Sequence, residues 1–382
     1  MPAAKTLPRI LHLHSSFNAG GKELRAVRLM NAFVGKAEHT VVSAAPGEYE
    51  AAQRVAKGVR VAYPKDFPAL TGLPTPGRMH KLARAMQDFD LVLTYNWGAM
   101  DAVMAHTLFA ASMGLPALIH HEDGFNADEI DGLKARRNWY RRVALGRSAA
   151  VVVPSTGLFN TARHVWHQPE ARVHLIPNGI PVARFRKRPK PDNLPRLVKR
   201  KGEKWVGTLA GLREVKNLPR LVRVFAPLPE EWQLVIVGEG PEREAIVAEA
   251  ERLDVRHRVH LPGPVDDPAK AMGLFDIFAL SSDTEQFPLS VVEAMAAGLP
   301  VAAPSLGDIP RMVADDNADL MGSAGDEEAL SAALARLARE DTFREALGLQ
   351  NRKRAAARYD EADMIAAYRS LYARFLPGAQ VL

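Results

Sequence analysis

The sequence predicts an α/β protein of two domains, each built on a parallel β-sheet. The chain has 382 residues, 47% of them hydrophobic, which is too long for one ordinary core and apolar enough to fill two. Short β-branched or leucine-rich runs alternate twice with longer segments of helical period, a pattern typical of βα units. A segment rich in proline and cations, 181–203, separates the two series and indicates a linker.

The candidate strands are short apolar runs bounded by turn residues. Before the proline-rich segment they lie at 9–15, 39–45, 59–64, 90–96, 116–122, 149–155 and 173–179. After it they lie at 204–211, 233–240, 258–264, 276–282 and 299–305. Amphipathic stretches between the strands predict helices at 22–34, 78–88, 99–113, 130–146, 216–227, 241–252, 285–298 and 326–340.

These patterns predict a first domain over residues 1–180, a basic linker over 181–203 and a second domain over 204–360. In the last segment, 361–382, apolar residues recur at helical spacing along one broad face. An amphipathic helix of this kind needs an apolar surface on which to pack.

Composition restricts the classes of function. The chain has no cysteine, so it has no disulfide, thiolate metal site or cysteine nucleophile, which fits a reducing compartment. The apolar run at the N-terminus is short and interrupted by Arg9, His12 and His14, so we expect no signal peptide or membrane span and a cytoplasmic location. The net charge of +6 is concentrated in the first half and the linker. With 7% aromatic residues and no nucleic-acid-binding module, no nucleic-acid partner is expected.

The strongest chemical pattern is the segment TEQFPLSVVEAMAAGLPVAA, residues 284–303. A helix beginning near Pro288 or Leu289 would present the backbone N–H groups of its first turn and the positive end of its dipole. Such a helix end suits a diphosphate. The N–H groups concerned belong to Leu289, Ser290 and Val291.

Three side chains of this segment could bind the other parts of a nucleotide sugar, beyond its diphosphate. Ser290 can add a hydroxyl donor, and Glu293, about one turn into the helix, can accept from ribose hydroxyls. Glu285 precedes the helix, where it could contact a transferred sugar. The alternative is that both glutamates are ordinary solvated carboxylates.

The segment resembles the C-terminal donor-site signature of family 4 glycosyltransferases of the GT-B fold. That signature is a glutamate, a Phe-Pro-Leu-like stretch, a second glutamate and then Ala-Met-Ala-x-Gly-x-Pro-Val, and the match is continuous from Glu285 to Val301. Other segments follow in the family's order, so the resemblance covers most of the chain. It implies two Rossmann-like domains facing a central cleft, with acceptor bound by the first and nucleotide sugar by the second. It also implies that the C-terminal helix crosses back to the first domain.

The resemblance implies a reaction as well. A hexose would move from a nucleotide diphosphate sugar, with UDP or GDP as carrier, to a glycan, lipid-linked or small-molecule acceptor with anomeric retention. Cell-surface polysaccharide or glycolipid synthesis is the expected setting, and no metal or other cofactor is expected. Two rival functions stay open, a sugar-nucleotide epimerase or phosphorylase of the same fold and an inactive carbohydrate-binding relative.

Further positions of the second domain follow from the resemblance. Gly238 is expected to let backbone approach a ligand, and Gly263 to flank the nucleotide base. Lys216 corresponds to a lysine that grips the diphosphate together with an arginine five residues earlier. That earlier position is Gly211 here, and Arg213 lies two residues further on. Either Arg213 reaches the phosphates from a shifted loop, or one cation is lost.

In the first domain, Gly20 and Gly21 follow the first strand and open a helix. Glycines at this point could leave N–H groups facing a phosphate or sugar, although such turns are common at strand–helix junctions. Their position before Glu23 matches the family's Gly-Gly-x-Glu loop, which favours donor binding.

Polar residues also end the strand at 116–122. One of His120, His121, Glu122 and Asp123 is expected near the donor hexose, since family members carry a histidine after this strand, and His121 is the preferred candidate. A metal site is disfavoured, because adjacent strand residues point to opposite faces and would not chelate one ion.

The basic stretch 133–147 contains Trp139 and Tyr140. It predicts either a helix at an anionic membrane surface or a solvated helix whose aromatic residues face the core. The first alternative would make the protein peripheral on the inner face of a membrane.

Overall fold

The computed structural model describes residues 7–125, 129, 132–376 and 382. Their contacts divide the chain into two compact units. Unit 1 holds the described residues up to Pro177 and from Met364 onward, and unit 2 runs from Asn178 to Asp363. Each unit is an α/β domain with one parallel sheet, which confirms the predicted fold class.

Unit 1 is built on a seven-stranded parallel sheet. The strands are β1 (Arg9–His14), β2 (Glu38–Ser43), β3 (Arg60–Ala62), β4 (Leu91–Tyr95), β5 (Ala117–His121), β6 (Ala150–Val153) and β7 (Val173–Leu175). Their spatial order is β3-β2-β1-β4-β5-β6-β7, so the direction of winding reverses between β1 and β4. The helices are α1 (Gly21–Ala32), α2 (Pro76–Met86), α3 (Met100–Met113), α4 (Ala135–Ala144) and α5 (Thr156–His164).

Unit 2 repeats this plan with five strands in the order β10-β9-β8-β11-β12. These strands are β8 (Lys204–Leu209), β9 (Trp232–Val237), β10 (Val259–Gly263), β11 (Ile277–Ala279) and β12 (Val301–Ala302). The helices are α6 (Val182–Phe185), α7 (Leu218–Phe225), α8 (Arg243–Arg252), α9 (Ala269–Met272), α10 (Leu289–Ala297), α11 (Ile309–Met312), α12 (Asp315–Ala318), α13 (Glu327–Arg339) and α14 (Asp341–Arg358). In the part of the chain that is described, no helix is long and apolar enough to cross a membrane.

Every predicted strand overlaps an observed one. All residues of β4 and β6 are buried, so their sequences are continuous apolar runs that are easy to recognise. Helix α14 is absent from the predicted helices. Polar and charged residues predominate in its sequence, and its few buried positions, among them Leu347 and Asn351, give a weak periodic pattern. The predicted helix 130–146 is observed as α4, and residues 130 and 131 lie outside the described residues.

The proline-rich segment 181–203 differs from the free linker that its composition indicates. It belongs to unit 2, where Val182 and Phe185 of α6 and Leu194 are buried in the hydrophobic core. Most of its lysine and arginine residues are exposed. The few apolar residues, although aperiodic, are therefore sufficient to fix the segment to the domain that follows it.

The last helix is α15 (Glu361–Ala373), which belongs to unit 1 from Met364 onward. Met364, Tyr368, Leu371 and Tyr372 are buried in one cluster with residues of β1, α1 and β4. These elements provide the apolar surface that the amphipathic pattern of segment 361–382 requires. Residues 377–381 of that segment lie outside the described residues.

The interior of unit 1 contains hydrogen-bonded histidines. The His12 side chain lies 3.0 Å, Nε2 to Nδ1, from His39 and 3.2 Å, Nδ1 to Oη, from Tyr95, and all three residues are buried. Burial lowers the pKa of His39 to about 4, and it lowers the pKa of His12 and His14 well below the ordinary value. These imidazoles are therefore neutral in the folded unit at neutral pH.

Acid should destabilise unit 1 through these histidines. A pKa of about 4 in the folded state lies below the unfolded value of about 6.5. The stability contributed by His39 is thus complete above about pH 6.5 and is lost as the pH falls toward 4, by about 3 kcal/mol in total. Hydrogen exchange of the β1 and β2 peptides between pH 7 and 4.5 reports opening of unit 1 separately from unit 2. His39→Gln should flatten this pH dependence, whereas His164→Gln, at an exposed site of α5, should not. Equal pH dependence in wild type and His39→Gln would contradict the assignment.

Candidate active site

Two loops of unit 2 meet next to the point where its strand order reverses. Lys216 ends a short 3-10 turn after β8, and Glu285 lies in the loop after β11. The Nζ of Lys216 is 2.5 Å from Oε1 of Glu285, and the Ser282 hydroxyl donates to the same oxygen at 2.8 Å. Because β8 and β11 are neighbouring strands on either side of the reversal, their carboxyl ends form the kind of crevice in which open α/β sheets bind ligands.

A second set of hydrogen bonds fixes the same two loops. The Ser281 hydroxyl lies 3.0 and 2.9 Å from the carbonyl oxygens of Lys216 and Asn217. Arg220, on α7, donates to the Asp283 carboxylate at 2.6 Å and to the Ser281 carbonyl at 3.0 Å. These residues position the backbone that carries Lys216. Sequence reasoning missed them, although the polar run after β11 was a signal that could have indicated them.

Helix α10 begins four residues after Glu285, as the segment predicts. Pro288 is its N-cap, and no side chain of the described residues caps this end. Val291 is buried, while Leu289, Ser290 and Glu293 are only partly buried. Ser290 and Glu293 are three residues apart and therefore share one face of the helix.

Glycines at the ends of β9 and β10 serve the architecture of this edge. Gly238 has φ 153°, and a side chain there would collide with the carbonyl oxygen of Ala210. Its N–H donates to the Gly263 carbonyl at 3.1 Å, and Gly263 has φ 94° with open space around its Cα. The backbone at Gly238 thus lies close to the loop after β8. Gly263 stays accessible at the end of β10.

Arg213 is exposed and lies over Gly211. A Cβ at position 211 would be 3.5 Å from Nε of Arg213, an ordinary van der Waals contact. The Arg213 side chain therefore covers the space that a side chain at 211 would enter. Gly211 does not have a positive φ, so a larger residue fits its backbone conformation.

In unit 1, Gly20 is the N-cap of α1, with φ −97° and ψ 171°, and Gly21 is the first helical residue. A Cβ at position 20 would lie 2.6 Å from Oε2 of Glu23, so a larger residue there would displace the end of that side chain. Glu23 is buried and paired with Lys22, and burial raises its pKa. The loop therefore holds a buried carboxylate at the start of the helix.

The expectation that His121 contacts a sugar receives no support from its surroundings. Its ring is fully buried and lies 2.9 Å, from Nε2, from the hydroxyl of Tyr372 on α15. It stacks on Tyr95 at a centroid distance of 4.6 Å, and burial lowers its pKa well below the ordinary value. His121 points into the core because successive residues of β5 alternate between the two buried faces.

The three alternatives at this strand end differ in exposure. His120 and Glu122 are fully buried, Glu122 beside Arg141 with 3.4 Å between Oε2 and Nε. Asp123, one residue past them, keeps 14% of its side chain exposed and forms a two-point ion pair with Arg25. Of the four candidates, only Asp123 has an accessible side chain. Among the described residues, no group of three or more His, Asp or Glu is arranged to hold a metal ion.

Comparisons with known proteins identify the family of the chain. A family model described as Glycosyltransferase Family 4 matches residues 19–184, and one described as Glycosyl transferases group 1 matches residues 189–354. A GDP-mannose-dependent alpha-mannosyltransferase of Mycobacterium tuberculosis is 30% identical over 307 residues, covering 77% of each chain. An N-acetyl-alpha-D-glucosaminyl L-malate synthase of Bacillus anthracis is 25% identical over 237 residues, which cover 60% of this chain and 61% of that relative.

A solved structure has the same fold. The Anabaena protein Alr3699/HepE in complex with UDP superposes with a TM-score of 0.78 at 19% identity, over 96% of this chain and all of that one. The two matched models and the mannosyltransferase relative decide the family, and this likeness shows the fold. The chain belongs to the family 4 glycosyltransferases of the GT-B fold, and it is a glycosyltransferase that takes its sugar from a nucleotide-sugar donor.

Proposed function

We propose that this enzyme transfers a hexose, with anomeric retention, from a nucleotide diphosphate sugar to a glycan or lipid-linked acceptor. The bond between the sugar C1 and the diphosphate oxygen breaks, and the acceptor oxygen bonds to C1. The hydroxyl proton leaves with the nucleoside diphosphate. UDP and GDP are the candidate carriers, since the Anabaena structure holds UDP and the M. tuberculosis relative is named for GDP-mannose.

The observation that carries the donor site is the attachment of Lys216 to the loop that leads into α10. Glu285 lies four residues before the N-terminus of α10, and its 2.5 Å contact holds the Lys216 ammonium group there. The ammonium group and the helix end are both sources of positive potential, the helix end through its unpaired N–H groups and its dipole. A diphosphate at this edge would meet both.

The departing diphosphate accumulates about two negative charges, and Lys216 with a helix end supplies about one and a half positive ones. Arg213 is the second cation in this proposal, because it is exposed and folds over the glycine at which the family has its arginine. Groups held in place before the reaction stabilise the charge that develops in the transition state without reorganising. Lys216 and Arg213 would act in this way.

The two glutamates receive different roles. Glu293 is partly buried one turn into α10 and is proposed to accept hydrogen bonds from the ribose. Glu285 is proposed to contact the transferred sugar. Its pairing with Lys216 and Ser282 gives it a fixed orientation, while a bound diphosphate would compete for the same ammonium group.

Helix α4 favours a membrane-bound acceptor, because it exposes apolar residues to solvent and buries a charged one. Trp139 is 64% exposed and Val143 37% exposed, whereas Arg141 is fully buried. The Arg141 guanidinium lies 4.9 Å from the Trp97 ring centroid and pairs with Glu129. The other aromatic residue of the helix does face inward. Tyr140 donates to Asp101 at 2.7 Å.

The exposed face of α4 combines aromatic and cationic side chains. Arg136 and Arg142 flank Trp139 at helical spacing, and both are exposed. Leu108 on α3, 58% exposed, lies beside the end of this helix, since the neighbouring Thr107 donates to the Ala144 carbonyl. A tryptophan with aliphatic neighbours and a rim of arginines suits the interface of an anionic bilayer. We therefore propose a peripheral location on the inner face of a membrane, with a lipid-linked acceptor.

The roles of the two glutamates predict different defects. Glu293→Ala should weaken binding of the bare nucleoside diphosphate by roughly tenfold, through loss of a charged hydrogen bond. Glu285→Ala should leave that binding unchanged or tighter, because Lys216 loses a competing carboxylate, but should lower turnover of the nucleotide sugar by roughly a hundredfold. Calorimetry with UDP, GDP and ADP on the full chain, followed by donor turnover, measures both.

Glu251→Ala, at an exposed carboxylate of α8, serves as the control and should change neither quantity. Equal loss of nucleotide binding in the Glu293 and Glu285 variants would overturn the assignment of roles. If none of the three nucleotides binds the wild-type chain, the donor site itself is misplaced.

Arg213→Ala should lower kcat/KM for the donor by roughly a hundredfold, similar to the removal of one preorganised donor group. Adding Gly211→Arg to this variant should restore part of the loss, since position 211 has room for a side chain once Arg213 is removed. A single variant within about twofold of wild type would show that Lys216 and the helix end suffice.

The protein should co-sediment with vesicles that contain anionic lipid and not with neutral ones. About 0.5 M salt should release it, because the Debye length falls to a few Å. Arg136→Gln with Arg142→Gln should reduce the partition coefficient by roughly thirtyfold, at about 1 kcal/mol for each cation. Lys36→Gln with Lys57→Gln removes the same charge from another exposed surface of unit 1 and should have little effect. Equal binding by the two double variants would contradict the α4 surface.

A further inference from the structure

Unit 2 has a pocket at the sheet edge opposite the candidate active site. Asp276 and Pro300, which line it, precede β11 and β12, whereas Glu285 follows the carboxyl end of β11. Helix α10 connects the two edges. Its N-terminus belongs to the active-site edge, and Ala297, its last residue, lines the pocket with Gly298. Nine helical residues span roughly 13 Å, so the two sites are separate.

The pocket is lined by four arginines and has a volume of about 240 Å³. That space equals roughly eight water molecules, enough for a small polyatomic ion. The arginines come from two parts of unit 2, the segment before β8 and helix α14. They are Arg186, Arg188, Arg344 and Arg352.

The charges of this cluster, which we call the arginine pocket, are only partly compensated. Within the described part of the chain, Arg186 and Arg188 are exposed and form no ion pair. Arg352 donates to the Ala297 carbonyl at 2.7 Å, and its Nε is buried without a hydrogen-bond partner. Arg344 has a carboxylate nearby, that of Asp341 at 2.7 Å.

The acidic residues of the pocket do not cancel this charge. The Asp276 carboxylate already accepts from Nζ of Lys199 at 2.6 Å and from the backbone N–H of Trp205 at 2.7 Å. Burial lowers the pKa of Lys199, and the nearby Arg188 lowers it further despite the pairing with Asp276. Glu345 is exposed at the rim. The pocket therefore has a net positive potential.

We propose that the arginine pocket binds a small anion that carries phosphate groups, at a site distinct from the nucleotide-sugar site. Guanidinium groups match phosphate oxygens through paired N–H donors and keep their charge at every physiological pH. Two arginines free to reorient and a third with an unpaired buried N–H supply donors from different sides of the pocket. This inference goes beyond the proposed transfer reaction and does not depend on it.

Titration calorimetry of the full chain with inorganic diphosphate, inorganic phosphate and a hexose 1-phosphate tests the proposal. These probes separate a free phosphate anion from a phosphate ester. Arg186→Ala with Arg188→Ala should weaken the best-bound probe at least tenfold. Lys201→Ala with Arg339→Ala removes two exposed cations of unit 2 that do not line the pocket and should leave binding within about twofold.

Lys216→Ala distinguishes the pocket from the donor site, where a diphosphate would also bind. Binding that persists in this variant and is lost in the Arg186/Arg188 double variant supports the arginine pocket. Binding that is lost in Lys216→Ala and retained in the double variant would assign the anion to the donor site and overturn the proposal. Absence of binding by all three probes to the wild-type chain would overturn it as well.

Discussion

The reversal of strand order beside β8 is the constraint on which the site in unit 2 depends. In a parallel sheet wound in one direction, successive loops pass over the same face and leave no opening at the edge. Where the direction reverses, the chain leaves β8 and β11 toward opposite faces, and a crevice opens between their loops. Lys216 and Glu285 come from these two loops, which are separated by 69 positions in sequence. Their ion pair is a local consequence of the topology.

Hydrogen bonding between the two loops converts this crevice into a fixed arrangement. Ser281 and Arg220 place the backbone around Lys216, while Gly238 packs against the backbone of Ala210 in the loop after β8. The proposed electrostatic stabilisation depends on such rigidity, because groups that must reorganise lose much of their effect. The charged groups at the edge are thus held by residues that need not touch a substrate themselves.

Unit 1 buries several polar groups within a mostly apolar core. His12 is hydrogen-bonded to both His39 and Tyr95, and the His121 ring is hydrogen-bonded to the hydroxyl of Tyr372 on α15. Neutral imidazole is the form that such a site favours, because burying a charge costs far more than burying a hydrogen-bonded neutral group. The C-terminal helix therefore completes the core of unit 1 with polar as well as apolar contacts.

The sequence by itself determined the fold class, the strands and the position of α10. Those features arise from local periodicity and turn chemistry, and from a continuous motif between Glu285 and Val301 whose residues are neighbours in the chain. The burial of strands such as β4 and β6 on both faces made them recognisable as apolar runs.

Only the tertiary structure decided which polar side chains are accessible. His121 and Asp123 are two residues apart, yet one lies in the core and the other keeps an exposed edge. Trp139 faces outward and Arg141 inward, the reverse of what hydrophobicity alone favours, because Trp97, Trp166 and Glu129 surround the guanidinium. The composition of segment 181–203 indicates a linker, but three apolar side chains pack it onto unit 2. In each case the outcome depends on partners distant in sequence, and local patterns carry no information about the free energy of those contacts.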